Sequence, residues 1–149
     1  MQNAWIIILA VAASLIPIAI MAAMSVKWSR ASKAPSSLHG NALYADRLIQ
    51  IWPDYMVFLN YYFPTYKSKW VRMDDIERIW KEPSTLRTGK WRIHGSGDFR
   101  TWYPQDCERQ KRDRIFFATL RTQRTRIGFT VERPEEVEMV LKGKGFLET

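Results

Sequence analysis

Hydrophobic residues follow three successive patterns along this chain. From Trp5 to Val26, "WIIILAVAASLIPIAIMAAMSV", 22 residues pass without a charged side chain. As a helix this run would be roughly 33 Å long, close to the hydrocarbon thickness of a bilayer. Lys27 to Ala42, "KWSRASKAPSSLHGNA", is basic, small and polar, and residues 29–42 read as a juxtamembrane linker. From Tyr55 onward, short apolar segments bounded by turn signals carry the two-residue period of half-buried strands.

Seven such segments follow one another: "YMVFLNYYF", "KWVRM", "IERIWK", "KWRIH", "FRTWY", "DRIFFATLR" and "RIGFTVE". The strings "PTYKSK", "EPSTLRTG", "GSGD" and "TQRT" punctuate them as turns or loops. In "KWRIH" the alternation predicts that Trp91 and Ile93 face the core while Lys90, Arg92 and His94 face solvent. Leu43 to Trp52 fits either element: Leu48, Ile51 and Trp52 could share a helix face, whereas the β-branched content and Pro53-Asp54 suit a short strand.

The period changes at Pro134. Before it, Ile127, Phe129 and Val131 alternate with polar or small residues; after it, Val137, Val140 and Leu141 share one helix face. Pro134 suits the first helical position, Glu135 and Glu136 suit the positive end of the helix dipole, and Lys142 to Gly145 close the helix. The expectation is a mainly β domain over residues 43–149 that ends in one helix, with Leu141 packed on an open end of the sheet.

Charge separates the two parts of the chain. Residues 1–26 have no charge, so all 23 Lys and Arg, all 15 Asp and Glu, and the net +8 fall in residues 27–149. Residues 1–28 therefore read as a transmembrane helix with its flanks. Trp5 and Trp28 stand at the two membrane boundaries, and Pro17 lies in mid-span, where a bilayer tolerates it. Lys27, Arg30 and Lys33 follow with no acidic residue before Asp46, which by the positive-inside rule puts Met1 outside and Thr149 inside an inner (cytoplasmic) membrane. A cleaved signal peptide ending near Ala22, Ala23 and Ser25 is the competing reading. The uncharged start and the longer apolar run favour a retained span.

Candidate chemistry is sparse. Cys107 is the single cysteine, so no internal disulfide forms, and only His39 and His94 exist as imidazole bases. Asp74 and Asp75 are adjacent and, if extended, point to opposite faces. "HGSGD" has neither the Walker nor the Rossmann spacing. No metal, haem or other cofactor is implied, and an enzyme is not expected. Basic charge remains: from Glu108 to Arg126, seven Lys or Arg stand against two acidic residues. Solvation, an acidic protein partner and anionic lipid all compete for it.

The strand and helix order, with "YYFP", "VRMDDIERIW", "GKWRIHGSGDFRTWYP" and "RIGFTVERPEEV", resembles bacterial pleckstrin-homology-like domains on small single-pass membrane proteins. The resemblance covers about Tyr55 to Phe146. It implies a seven-stranded curled antiparallel barrel capped by the C-terminal helix, and a binding or scaffolding module. Headgroup recognition in that family would fall on Lys67, Lys69 and Arg72 of the first hairpin, although here Trp70 and Val71 separate the last two.

The expected function is a non-catalytic docking or accessory subunit of a membrane complex, with Arg121, Arg124 and Arg126 as the candidate partner-binding residues. Binding of an anionic lipid headgroup or another small ligand through Lys67, Lys69 and Arg72 is the alternative. Expected partners are the bilayer, another membrane protein or complex, and a second copy of the chain. With a tethered domain and no nucleic-acid motif, nucleic acid is not expected.

Overall fold

The computed structural model describes residues 40–96 and 98–147. Trp5, Pro17, Lys27, Trp28, Arg30 and Lys33, with the whole apolar span and most of the linker, lie outside them. Among the described residues, no helix is long and apolar enough to cross a membrane.

The strands are β1 (Tyr44–Ala45), β2 (Ile49–Ile51), β3 (Tyr55–Phe58), β4 (Lys69–Arg72), β5 (Ile76–Pro83), β6 (Thr101–Trp102), β7 (Arg114–Leu120) and β8 (Gln123–Phe129), followed by helix α1 (Pro134–Gly143). The fold is mainly β with one C-terminal helix. Its strands form two sheets of four, ordered β1-β2-β3-β4 and β5-β7-β8-β6. Neighbours are antiparallel except β6, which runs parallel to β8. Strand pairing among the described residues does not close the two sheets into a barrel.

Leu43 to Trp52 resolves as two short strands around Asp46. Its Oδ1 accepts the N–H groups of Leu48 and Ile49, both at 2.7 Å, which turns the chain from β1 to β2. Its Oδ2 accepts the Tyr44 hydroxyl at 2.6 Å and the Glu132 N–H at 2.8 Å. One carboxylate thus ties the first strands to the strand-to-helix junction.

"KWRIH" is not a strand, which corrects the expected burial: Trp91 is 64% and Ile93 52% exposed. The Lys90 N–H bonds back to the Thr85 carbonyl, and Gly89 takes φ +98°, so the chain turns here. The Arg92 and Ile93 carbonyls accept from the Arg109 guanidinium and the Asp106 N–H. These long-range donors replace a ladder.

The core lies between the sheets. Phe129 meets Phe58 edge-on at 5.2 Å and stacks on Phe116 at 5.4 Å, joining the two layers through three rings. Helix α1 starts at Pro134, carries Glu135 and Glu136 in its first turn, and has Val137 and Leu141 fully buried; Val140 is half-buried. Glu138 pairs with Lys81 and Arg114, while Lys144 Nζ donates to the Pro53 carbonyl at 2.7 Å. The helix therefore contacts both sheets.

Candidate docking surface

Strand β7 is central in its sheet and buried on both faces. Phe116, Ala118 and Leu120 face the main core, so Ile115 and Phe117 face the other way. Register puts Trp80 opposite Phe117 and Phe117 opposite Gly128, which places these residues and Arg126 on this second face. Trp80 stacks on Phe117 at 5.4 Å, and Tyr103 approaches Phe117 edge-on at 6.5 Å.

Tyr103 needs two glycines. A Cβ on Gly128 would lie 2.5 Å from its ring, and one on Gly89 would lie 2.7 Å from its hydroxyl end. The ring closes over both, and its hydroxyl donates to the Thr88 carbonyl at 3.0 Å. The Arg109 guanidinium lies 5.0 Å from the same ring. Arg109 is 2% exposed, donates to the Arg92 and Pro104 carbonyls at 2.8 and 2.6 Å, and burial pushes its pKa down to about 10.

An open groove of about 510 Å³ lies over this face, bordered by Glu82, Thr85, Arg87, Tyr103, Phe117 and Arg126. The Arg126 guanidinium sits 5.1 Å from the Phe117 ring and 6.0 Å from Trp80, donates to Thr101 Oγ1, and lies 3.9 Å from Asp98. Partial burial opposes ionisation of Asp98, but the Thr101 and Arg100 N–H groups and the Arg126 charge outweigh it and hold its carboxyl below the usual range.

The three arginines proposed for partner binding divide. Arg126 is held in place by this face, whereas Arg121 in the β7–β8 turn and Arg124 near the start of β8 are exposed. Neither of those two side chains has a hydrogen-bond or ion-pair partner among the described residues. Arg87 on the groove rim is likewise exposed and unpaired among them.

The three cations of the β3–β4 hairpin do not converge. Lys67 is exposed, and Arg72 is paired with Asp74 at 2.8 Å. Lys69 shares the inward face of β4 with Val71 and is 7% exposed. Its Nζ donates to Gln123 Oε1 at 2.8 Å and lies 5.1 Å from the Tyr61 ring, and burial pushes its pKa down to about 8.

Buried Asp106 and Arg109 gave no sequence signal apart from the surrounding charges. Asp106 accepts from Thr130 Oγ1 at 2.6 Å, Arg112 Nε at 3.3 Å and the Glu108 N–H at 2.9 Å. Cys107 is exposed, and His94 bonds the Tyr61 carbonyl at 3.0 Å. No group of three or more His, Cys, Asp or Glu able to hold a metal occurs among the described residues. Comparison with protein-family models, curated proteins and solved structures finds no match to this chain.

Proposed function

We propose that this chain is a non-catalytic docking or accessory subunit, anchored in the inner (cytoplasmic) membrane by its apolar span, whose pleckstrin-homology-like cytoplasmic domain holds an acidic segment of another membrane protein. One observation carries the reading: Arg121 and Arg124 are exposed and unengaged among the described residues, on the hairpin whose Arg126 is already held against aromatic rings. Exposed cations beside fixed aromatic rings are the residue types in which interface energy concentrates. The layered order of strands followed by one helix supports the family resemblance, and Lys27, Arg30 and Lys33 after the apolar span support the topology.

The test is co-purification from native membranes in mild detergent. Arg121→Ala with Arg124→Ala should release the partner, and raised salt should weaken the wild-type complex, while Lys67→Ala leaves it intact. A complex unaffected by the double change and by salt overturns the reading.

A second reading, contact with anionic headgroups, has its own support. Asn60 to Met73 and Ser84 to Gly97 contain no Asp or Glu, and Phe63, Tyr66, Trp91 and Ile93 stand exposed there among Lys67, Lys90 and Arg92. Sedimentation of the chain with anionic vesicles, lost on Lys67→Ala and Trp91→Ala, would favour it.

A further inference from the structure

Among the described residues both sheets end in open edges, β1 and β4 in one and β5 and β6 in the other. Three of these strands have two to four residues, whereas β5 has eight. A long edge strand is a template for another strand.

The free side of β5 follows from its ladder. The Ser84 N–H donates to the Asp113 carbonyl at 2.8 Å, one step beyond Pro83 opposite Arg114. Hydrogen-bonded pairs recur at every second residue of an antiparallel ladder. Glu82, Trp80 and Arg78 therefore direct their N–H and C=O groups to β7, and Lys81 and Ile79 direct theirs to the open side. Pro83 has no N–H to offer there and ends the open ladder.

A groove of about 410 Å³ follows this edge, bordered by Glu77, Arg78, Trp80, Lys81 and Phe146. Residues of both strand faces border it, as they do beside an edge. On its far side, the Gly145 and Phe146 N–H groups bond back to the Lys142 and Leu141 carbonyls and leave β5 unpaired among the described residues.

The order of charges identifies the occupant. Strand β5 reads Ile76, Glu77, Arg78, Ile79, Trp80, Lys81, Glu82, Pro83. Two copies related by a two-fold axis through Ile79 bring Glu77 opposite Lys81 twice and Arg78 opposite Trp80 twice, and leave Pro83 outside the paired stretch. An axis through Trp80 would instead bring Pro83 into the ladder opposite Glu77, where it has no N–H to give. The register break between Ile76 and Arg78 leaves Glu77, the last residue of the paired stretch, without a partner on β7. Lys81 already pairs with Glu138 at 2.7 Å, but Arg114 holds Glu138 at 2.6 Å as well, so Lys81 can turn to the copy without leaving that carboxylate unpaired. The same charges disfavour strands that lack the complementary order.

We infer that a second copy of this chain docks antiparallel along β5, centred on Ile79, and joins two four-stranded sheets into one of eight strands. The interface is isologous.

The full chain in mild detergent, its mass followed against concentration by sedimentation, tests this. The wild type should dimerise. Glu77→Lys and Lys81→Glu should each weaken dimerisation about tenfold, since each makes two like-charge pairs. Both changes in one chain, or a mixture of the two single variants, should restore it. As a second readout, Glu77→Cys with Lys81→Cys in a Cys107→Ser chain should give a disulfide-linked dimer, because facing residues lie within disulfide reach. A monomeric wild type overturns the inference, as does a dimer indifferent to both charge reversals or one that resists the cross-link.

Discussion

The β3–β4 and β7–β8 hairpins each present three cations within six residues, Lys67 to Arg72 and Arg121 to Arg126. In the first, the two-residue period turns Lys69 inward beside Val71, and Asp74 engages Arg72. In the second, Arg121 in the turn and Arg124 near the start of β8 are exposed, and an aromatic face captures only Arg126. The first hairpin thus packs one cation inward, pairs a second on the surface and leaves Lys67 exposed, whereas the second packs one against rings and leaves two unengaged. What a cationic cluster can bind depends on the face each side chain occupies, and counting charges does not reveal it.

The largest effect should come from loosening the element that contacts both sheets. Leu141 of α1 is fully buried, so Leu141→Ala should cost about 2 to 5 kcal/mol in denaturant unfolding of the chain. An unchanged midpoint would mean that α1 does not bind the two layers together.

Lys69 should give the next effect, through pH. Its folded pKa of about 8 lies below the ordinary 10.5, so between these values the unfolded chain holds more protons and stability rises with pH. The full gain is at most about 3 kcal/mol. It is read best between about pH 8 and 9.5, before the tyrosines ionise in the unfolded chain and reverse the trend. Lys69→Met should abolish the rise, and a rise that persists would place the lysine in solvent.

The smallest effects separate the arginines. Arg126→Ala should cost about 1 kcal/mol through loss of its ring contacts. Arg124→Ala should stay within about 0.5 kcal/mol of the wild type. Equal costs would erase the distinction between a committed and a free cation.

Much of the second sheet was legible in the sequence. Ile127 and Phe129 do alternate into the core, the period does change at Pro134, and Val137 and Leu141 are the buried helix positions. Local pattern sufficed there, because neighbouring residues in the chain decide those elements. Where distant residues decide, it did not. Trp91 and Ile93 alternate like a strand, but Arg109 and Asp106 claim the backbone between them and leave both side chains outside. Asp46 makes two strands from a segment that also suits a helix, through contacts reaching to Glu132. The inward turn of Lys69 depends on Gln123 and Tyr61, a partnership between hairpins that no local pattern announces.

The most direct test of the docking surface is a photo-activated cross-linker placed singly at Arg124 and at Lys67 of the full chain in intact native membranes. The account predicts a protein adduct from position 124, mapping to an acidic segment, and none from position 67. An adduct that forms from position 67 alone, or only lipid adducts from position 124, would contradict it.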